Sequence, residues 1–296
     1  MPSPSRKRQG EVRIGLSGWT YKSWRGQFYP KGLPHKRELA HVASVFPTVE
    51  INGTFYSMQR PDSFARWHED TGDDFMFAVK GPRFLTHMKR LKEPTAPLAN
   101  FFASGILRLG KKLGPILWQL PPTFRFDPDR LHAFFELLPR TAQSAATLAR
   151  KHDHRLKARA WLKTKVPRQR LRHAVEVRHD SFRDPAFIDL LRRHDIALVC
   201  ADTVEWPLLM DATSDFIYCR LHGSRELYRS GYDAAELRRW ARRIRTWRDG
   251  GPMRDGNFAG RPAKAVPRDV FVYFDNTDKL MAPHDAQVLK RELGKG

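Results

Sequence analysis

Glu50 and Asn52 close the apolar stretch TVEIN and stand two residues apart. The spacing recurs in Glu176 and Arg178 of HAVEVRH, and in Arg220 and His222 of FIYCRLHG. A charge inside an apolar run is costly unless it is paired. In extended chain, residues two apart share a face. Each polar pair therefore points one way, while Ile51, Val177 and Leu221 point the other. Further apolar runs end on Ser17, Lys80, Gln119, Asp202, and Asp275 with Asn276. Carboxylates that move protons, beside cations that hold phosphate or carboxylate groups, make an acid–base and anion-binding set. On this reading Glu50 and Glu176 are the acid/base candidates. His222 is a proton shuttle or ligand, and Lys80, Arg178 and Arg220 are charge clamps. Asn52, Tyr56, Gln119, Asp202, Asp275, Asn276 and Trp19 complete the substrate-binding set. Glu50 is expected to stand ready for substrate in a wet, partly unpaired setting.

Two other readings use the same residues. In one, Arg178, Arg220 and Lys80 neutralise Glu50, Glu176 and Asp202 in a self-satisfied ion network, an arrangement that costs desolvation and is rarely kept for stability alone. In the other, His87, Glu176, Asp202, His222 and Asp275 supply ligand types for Zn²⁺ or Mn²⁺. That set lacks a tight spacing such as H-E-x-x-H, and three cations in the same ring oppose a dication. The residues name no cofactor. Aromatics crowd SGWTYKSWRGQFYP, where Trp19, Tyr21, Trp24, Phe28 and Tyr29 make either a stacking wall for a base or sugar or a small satellite core. Phe55 and Tyr56 of NGTFY lie close by in sequence.

The elements that must carry these residues are short and regular. Runs rich in Val, Ile and Phe occupy 12–18, 48–52, 75–80, 115–120, 173–179, 196–202, 216–223 and 270–276, and read as strands. Helical periodicity fills 36–46, 62–70, 127–138, 184–194 and 233–247, with Asp127, Asp184 and Asp233 at the expected starts. Eight strands alternating with helices predict an α/β chain folded as one (β/α)₈ TIM barrel over residues 11–296. The C-terminal strand ends of such a barrel meet at one mouth, where active sites sit. No Gly-rich phosphate loop follows the first strand, which argues against a doubly wound sheet. Residues 140–172 break the rhythm as a basic insertion, expected to form an extra helix or a mobile excursion. Residues 249–268 are rich in Gly and Pro and read as a loop. Residues 1–10 read as a disordered basic tail. If Asp202 faces the barrel interior, so does Cys200, whereas Cys219 faces the helices; both read as buried thiols.

Composition narrows the class. The chain has 296 residues, 41% of them hydrophobic, with 19 Phe and 8 Trp, which is ample for a core. No apolar run reaches the roughly 20 residues that span a bilayer, and the basic start lacks an apolar signal core, so a cytoplasmic protein is expected. Two cysteines are too few for a disulfide framework. The formal net charge is +21. Between Arg140 and Arg172 the charged residues are basic except for Asp153, and a second basic run reads RRWARRIRTWR. Such an excess either attracts polyanions or solubilises the surface.

The stretches GLSGWTYKSWRGQFYP, TVEINGTFYSMQRPDSFARW, FMFAVKGPRFLTH, LGPILWQLPPTF, HAVEVRHDSF, YCRLHGSRELYRSGYDAAELRRWA and VYFDNTDKLMAPHDAQVL run in order over about residues 11–292. In them the sequence resembles the YecE-like family, domain of unknown function 72. The resemblance implies a TIM barrel of unsettled activity. That barrel is similar to the endonuclease IV-like and xylose isomerase-like barrels, which implies nucleic acid or metal only by analogy of fold. Two departures stand out. The last strand ends in FDN where the family typically has two asparagines, so Asp275 adds a charge. The basic 140–172 segment replaces what is usually a short connection. Two functions remain open: an enzyme on a phosphate-bearing or nucleic-acid substrate, hydrolase- or phosphodiesterase-like, and a non-catalytic nucleic-acid-binding protein using the basic segments and the aromatic loop.

The charge predicts that duplex DNA or RNA is retained at about 50 mM salt and released steeply toward about 200 mM, as counterion release requires. Filter retention across that range measures it. No retention at about 50 mM assigns the charge to solubility alone.

Overall fold

The computed structural model describes residues 9–156 and 159–295. Residues 1–8 of the expected basic tail lie outside the described residues. Eight parallel strands close a barrel in sequence order. They are β1 (Val12–Ser17), β2 (Thr48–Ile51), β3 (Met76–Lys80), β4 (Leu113–Gln119), β5 (His173–Glu176), β6 (Ala197–Asp202), β7 (Phe216–Leu221) and β8 (Asp269–Phe274). Closure comes from β1 lying beside β8, with Val12 paired to Val270 and Leu16 to Phe274. This is the α/β (β/α)₈ barrel that the strand spacing predicts.

Alternation sorts the side chains. Leu16, Val49, Val79, Ile116, Val175, Leu198, Ile217 and Val272 face outward into the core beneath the helices. Ala78, Leu117, Ala174, Val199, Tyr218, Phe271 and Tyr273 fill the barrel interior. That interior is uneven. Small residues such as Ala78, Ala174, Ala197 and Ala201 line β3, β5 and β6, while Phe216, Tyr218, Phe271 and Tyr273 project from β7 and β8. Small side chains on one wall leave room for rings from the other, so the barrel packs solid. A slip of one residue in any strand would exchange the two faces and put charge into the outer core.

The longer helices are α1 (Glu38–Val45), α2 (Pro61–Glu69), α3 (Thr95–Ala103), α4 (Pro128–Leu137), α5 (Ala142–Ala149), α6 (Pro185–Arg193), α7 (Ala234–Asp249) and α8 (Met281–Leu293). Three caps fall where the sequence places them. Asp127 accepts from Arg130 N, Asp184 from Ala186 N, and Asp233 from Glu236 N in a capping box. None of the helices among the described residues is long and apolar enough to cross a membrane.

The basic segment contains the expected extra helix and is anchored to the barrel. In α5, Ala142, Ala145, Ala146 and Ala149 are buried, so helix packs closely on helix against α3. Beyond it Trp161 N donates to Ala103 O at 2.7 Å, and Gln169 Nε2 to Leu113 O at 2.9 Å. Its cations are partly spent: Arg170 pairs with Asp195 and Asp215, and Arg172 with Asp269 at 2.8 Å. After α7 the chain stays irregular until β8, and Asp211 accepts from Ala259 N and Gly260 N at 2.9 Å to hold that loop.

Candidate functional site

At the C-terminal mouth the inward positions carry the polar residues. Ser17, Glu50, Lys80, Gln119, Glu176 and Arg220 each continue the inward face of a strand, with His222 and Asp275 just beyond β7 and β8. The site is organised by Arg220, which is 1% exposed. Its Nη1 donates to Glu176 Oε2 at 2.7 Å. Its Nη2 lies 2.9 Å from Glu50 Oε1, 2.9 Å from Asp275 Oδ2 and 3.1 Å from Ser17 Oγ. One guanidinium thus joins carboxylates delivered by β2, β5 and the end of β8.

The carboxylates are otherwise occupied as well. Glu50 Oε1 accepts from Ser17 Oγ at 2.6 Å, and its Oε2 accepts from Tyr218 OH at 2.5 Å. Glu176 Oε1 accepts from Gln119 Nε2 at 2.7 Å and from Arg178 Nε at 2.8 Å. The Arg178 guanidinium also lies 4.0 Å from the Trp206 ring centroid. Burial would raise Glu176, but Arg220 and Arg178 hold it well below the usual carboxylate range. For Asp275, burial is likewise outweighed by Arg220, then by His222, and its pKa lies below the usual carboxylate range.

This corrects the expectation that Glu50 waits unpaired. It is fully buried and bonded at both oxygens, so it belongs to the ion network. The network reading holds for Arg178, Arg220, Glu50 and Glu176, with Asp275 in the place expected for Asp202. Lys80 stands apart. It is 7% exposed, and its Nζ lies 4.2 Å from the Phe55 ring centroid. Its ammonium makes no ion pair or hydrogen bond with any described residue. Burial, then the neighbouring charge of Arg220, lowers its pKa to about 8. His222 is also incompletely used. Its Nδ1 sits 3.0 Å from Asp275 Oδ2, off the line a hydrogen bond needs, and Nε2 has no partner. Asn52 donates to Ser17 Oγ at 2.9 Å and leaves Oδ1 free.

Four expected members are elsewhere. Ala201, not Asp202, faces inward on β6; Asp202 turns toward α7 and accepts from Trp240 Nε1 at 2.8 Å. Burial raises its pKa. The same phase puts Cys200 with the outer core, beside Cys219, and both thiols are buried and unbridged. Asn276 follows the inward Asp275 and so faces the helices, where its Nδ2 donates to Asp285 Oδ2 at 2.9 Å. Trp19 packs edge-on against Trp67 at 5.3 Å. Tyr56 is 70% exposed, outside the polar ring. Trp24 and Tyr29 are buried in the main core beneath the helices, so the first loop joins that core instead of forming a separate satellite. Gly18, at φ +85°, turns the chain so that Tyr21 OH can donate back to Ser17 O at 2.6 Å.

Sequence reasoning missed Tyr218, Trp206 and Tyr228. Tyr218 stands two before Arg220, so the strand period marked it. Trp206 and Tyr228 arrive from loops and flank His222 at 5.5 and 5.4 Å, which no periodicity announces. The metal set splits: Glu176, His222 and Asp275 stay at the mouth, the two carboxylates paired with Arg220, while Asp202 turns outward. His87 stands at the rim, edge-on to Phe55, with its pKa lowered to about 4 by burial and then by Arg178 and Lys80. Among the described residues the metal-capable grouping is His132, Glu136 and His194, between α4 and the end of α6, away from the mouth.

Glu176 and Asp275 have folded pKa values below their unfolded ones, so their stabilisation is present above about pH 4 and is lost as pH falls through the folded values. Arg220→Met removes their shared partner. It is expected to cost about 3–5 kcal/mol at neutral pH and to move acid unfolding to higher pH. Urea unfolding of parent and variant across the acid range checks this; equal stability at neutral pH contradicts it.

Comparison with known proteins agrees with the fold. A family model described as "Protein of unknown function DUF72" matches residues 13–296. The Escherichia coli protein YecE is 32% identical over 127 residues, which is 43% of this chain and 43% of that protein. Bacillus subtilis YunF is 29% identical over 118 residues, 38% of this chain and 41% of its own length. The alignments therefore span less than half of these curated relatives. A solved DUF72 structure from Thermotoga maritima superposes with a TM-score of 0.69 at 24% identity, covering 96% of this chain and 99% of that one. One from Enterococcus faecalis gives 0.65 at 17% identity, covering 97% and 99%. At those identities the likeness concerns the fold. With the family model matched over nearly its whole length, the chain belongs to the DUF72 family.

Proposed function

We propose that the barrel mouth binds a small anionic molecule, phosphate- or carboxylate-bearing, with Lys80 as its anchor, and that it is the active site of an enzyme acting on that molecule. The observation that carries this reading is the division of charge. Glu50, Glu176 and Asp275 are claimed by Arg220 and Arg178, while Lys80 has no counter-ion among the described residues. A buried ammonium without a partner is costly, and an arriving anion would relieve that cost. Arg220, expected from sequence as a clamp, instead holds the floor of the site in place.

The acid–base roles move accordingly. Glu50 and Glu176 have both carboxylate oxygens bonded within the network. Lys80, with a pKa near 8, and His222, whose Nε2 has no partner, are the groups left free to face a substrate. The fixed dipoles around them change little when charge develops on a substrate. The reaction class follows from the ligand. A phosphate ester would place its anion at Lys80 and its leaving oxygen within reach of an acid.

Sulfate does not titrate near neutrality and serves as the probe. It should raise the melting temperature of the parent by mass action. The rise should shrink as pH passes upward through about 8, because Lys80 then loses its proton. Lys80→Met should abolish the rise, whereas Lys80→Arg, always charged, should keep it at high pH. A rise of equal size in Lys80→Met refutes the assignment.

A further inference from the structure

We propose that the groove beside Lys80 receives the base of a free nucleoside monophosphate whose phosphate rests at Lys80. This rests on the anion-binding reading of the mouth and names the substrate class.

The groove encloses about 550 Å³, within the roughly 300–1,000 Å³ of small-molecule sites. It lies on the mouth side of the barrel, between the loops after β2 and β3, and Arg155 of the basic segment completes it. Phe55 joins it to the mouth, since the ring that Lys80 covers at 4.2 Å also lines the groove. Lys80 itself does not line the groove, so a ligand that touches both must span the Phe55 ring between them.

The lining specifies the occupant. Tyr56, Met58 and Met88 are 70%, 43% and 66% exposed, and gather here although exposed apolar side chains are otherwise scattered. Phe84 adds a ring with the Arg155 guanidinium 5.4 Å from its centroid. Flat aromatic and guanidinium surfaces suit a stacked base. The charged residues of the lining are Arg83 and Arg155, with no carboxylate, so an anion is favoured; Arg155 has Asp153 3.7 Å away. Asn100, 5% exposed, is tied to Asp153: its Oδ1 accepts from Asp153 N at 3.0 Å and, after the Arg155 backbone N–H, its side chain helps to lower the Asp153 pKa. An acyl chain would leave both arginines unused. The source is a free nucleotide and not a strand, because Lys80 is 7% exposed and admits a terminal phosphate more readily than one within a chain.

The test is calorimetric titration of the parent with AMP, GMP, CMP and UMP, ribose 5-phosphate, inorganic phosphate and dodecyl phosphate. At least one nucleotide should bind about tenfold tighter than ribose 5-phosphate, the contribution of one stacked base. Tyr56→Ala, at an exposed position, should erase that advantage while leaving ribose 5-phosphate binding unchanged, and Tyr56→Phe should restore it. If all nucleotides bind no better than ribose 5-phosphate, the groove assignment fails while the Lys80 anchor stands. If none of the phosphates binds, both fail together. Tighter binding of dodecyl phosphate than of every nucleotide gives the groove to an acyl chain and overturns the proposal.

Discussion

A single buried guanidinium holds the mouth of this barrel together. Arg220 contacts Glu50, Glu176 and Asp275, which reach it from three different strands. Removing charges from water is expensive, and the attraction repays it only when geometry is good and the remaining lone pairs are bonded. Here Ser17, Tyr218, Gln119 and Arg178 supply those bonds. The network therefore ties together the ends of β1, β2, β4, β5, β7 and β8, and the interior of alanines opposite tyrosines and phenylalanines supports it from below.

The same network decides what remains for chemistry. Three carboxylates face three cations, Arg178, Arg220 and Lys80, yet the two arginines take all three. Lys80 is left on the apolar face of Phe55, and His222 is left with an unbonded nitrogen. A site built this way has a floor of three carboxylates and two arginines, with Lys80 above it feeling those carboxylates only through space. In the proposed reading the ligand enters as an anion; a metal ion's carboxylate ligands would first have to leave their arginines.

The fold was legible because strand spacing, face alternation and the caps at Asp127, Asp184 and Asp233 are local signals. The inward pairs Glu50 with Asn52 and Arg220 with His222 were legible for the same reason. What escaped was phase and pairing. A polar residue at a strand end does not say which face it takes, so Asp202 and Asn276 read as mouth residues although each turns to a helix. Pairing escaped because Arg220 finds its partners 170, 44 and 55 residues away. Without that knowledge Glu50 looked available and Arg178 and Arg220 looked as free to hold an anion as Lys80, whereas both arginines are paired. For the 140–172 segment an extra helix and a mobile excursion both stood open, and the small buried face of α5, packed against α3, gives the helix.

The central claim is that Lys80 is a buried cation without a counter-ion, and its own titration tests that most directly. Carbon-13 labelling of lysine side chains, with the Lys80 resonance assigned by its loss in Lys80→Arg, gives the value by NMR. The account predicts titration near pH 8, well below the ordinary 10.5. A Lys80 that titrates at 10.5 or above has a carboxylate or solvent at its side, and that result contradicts the account.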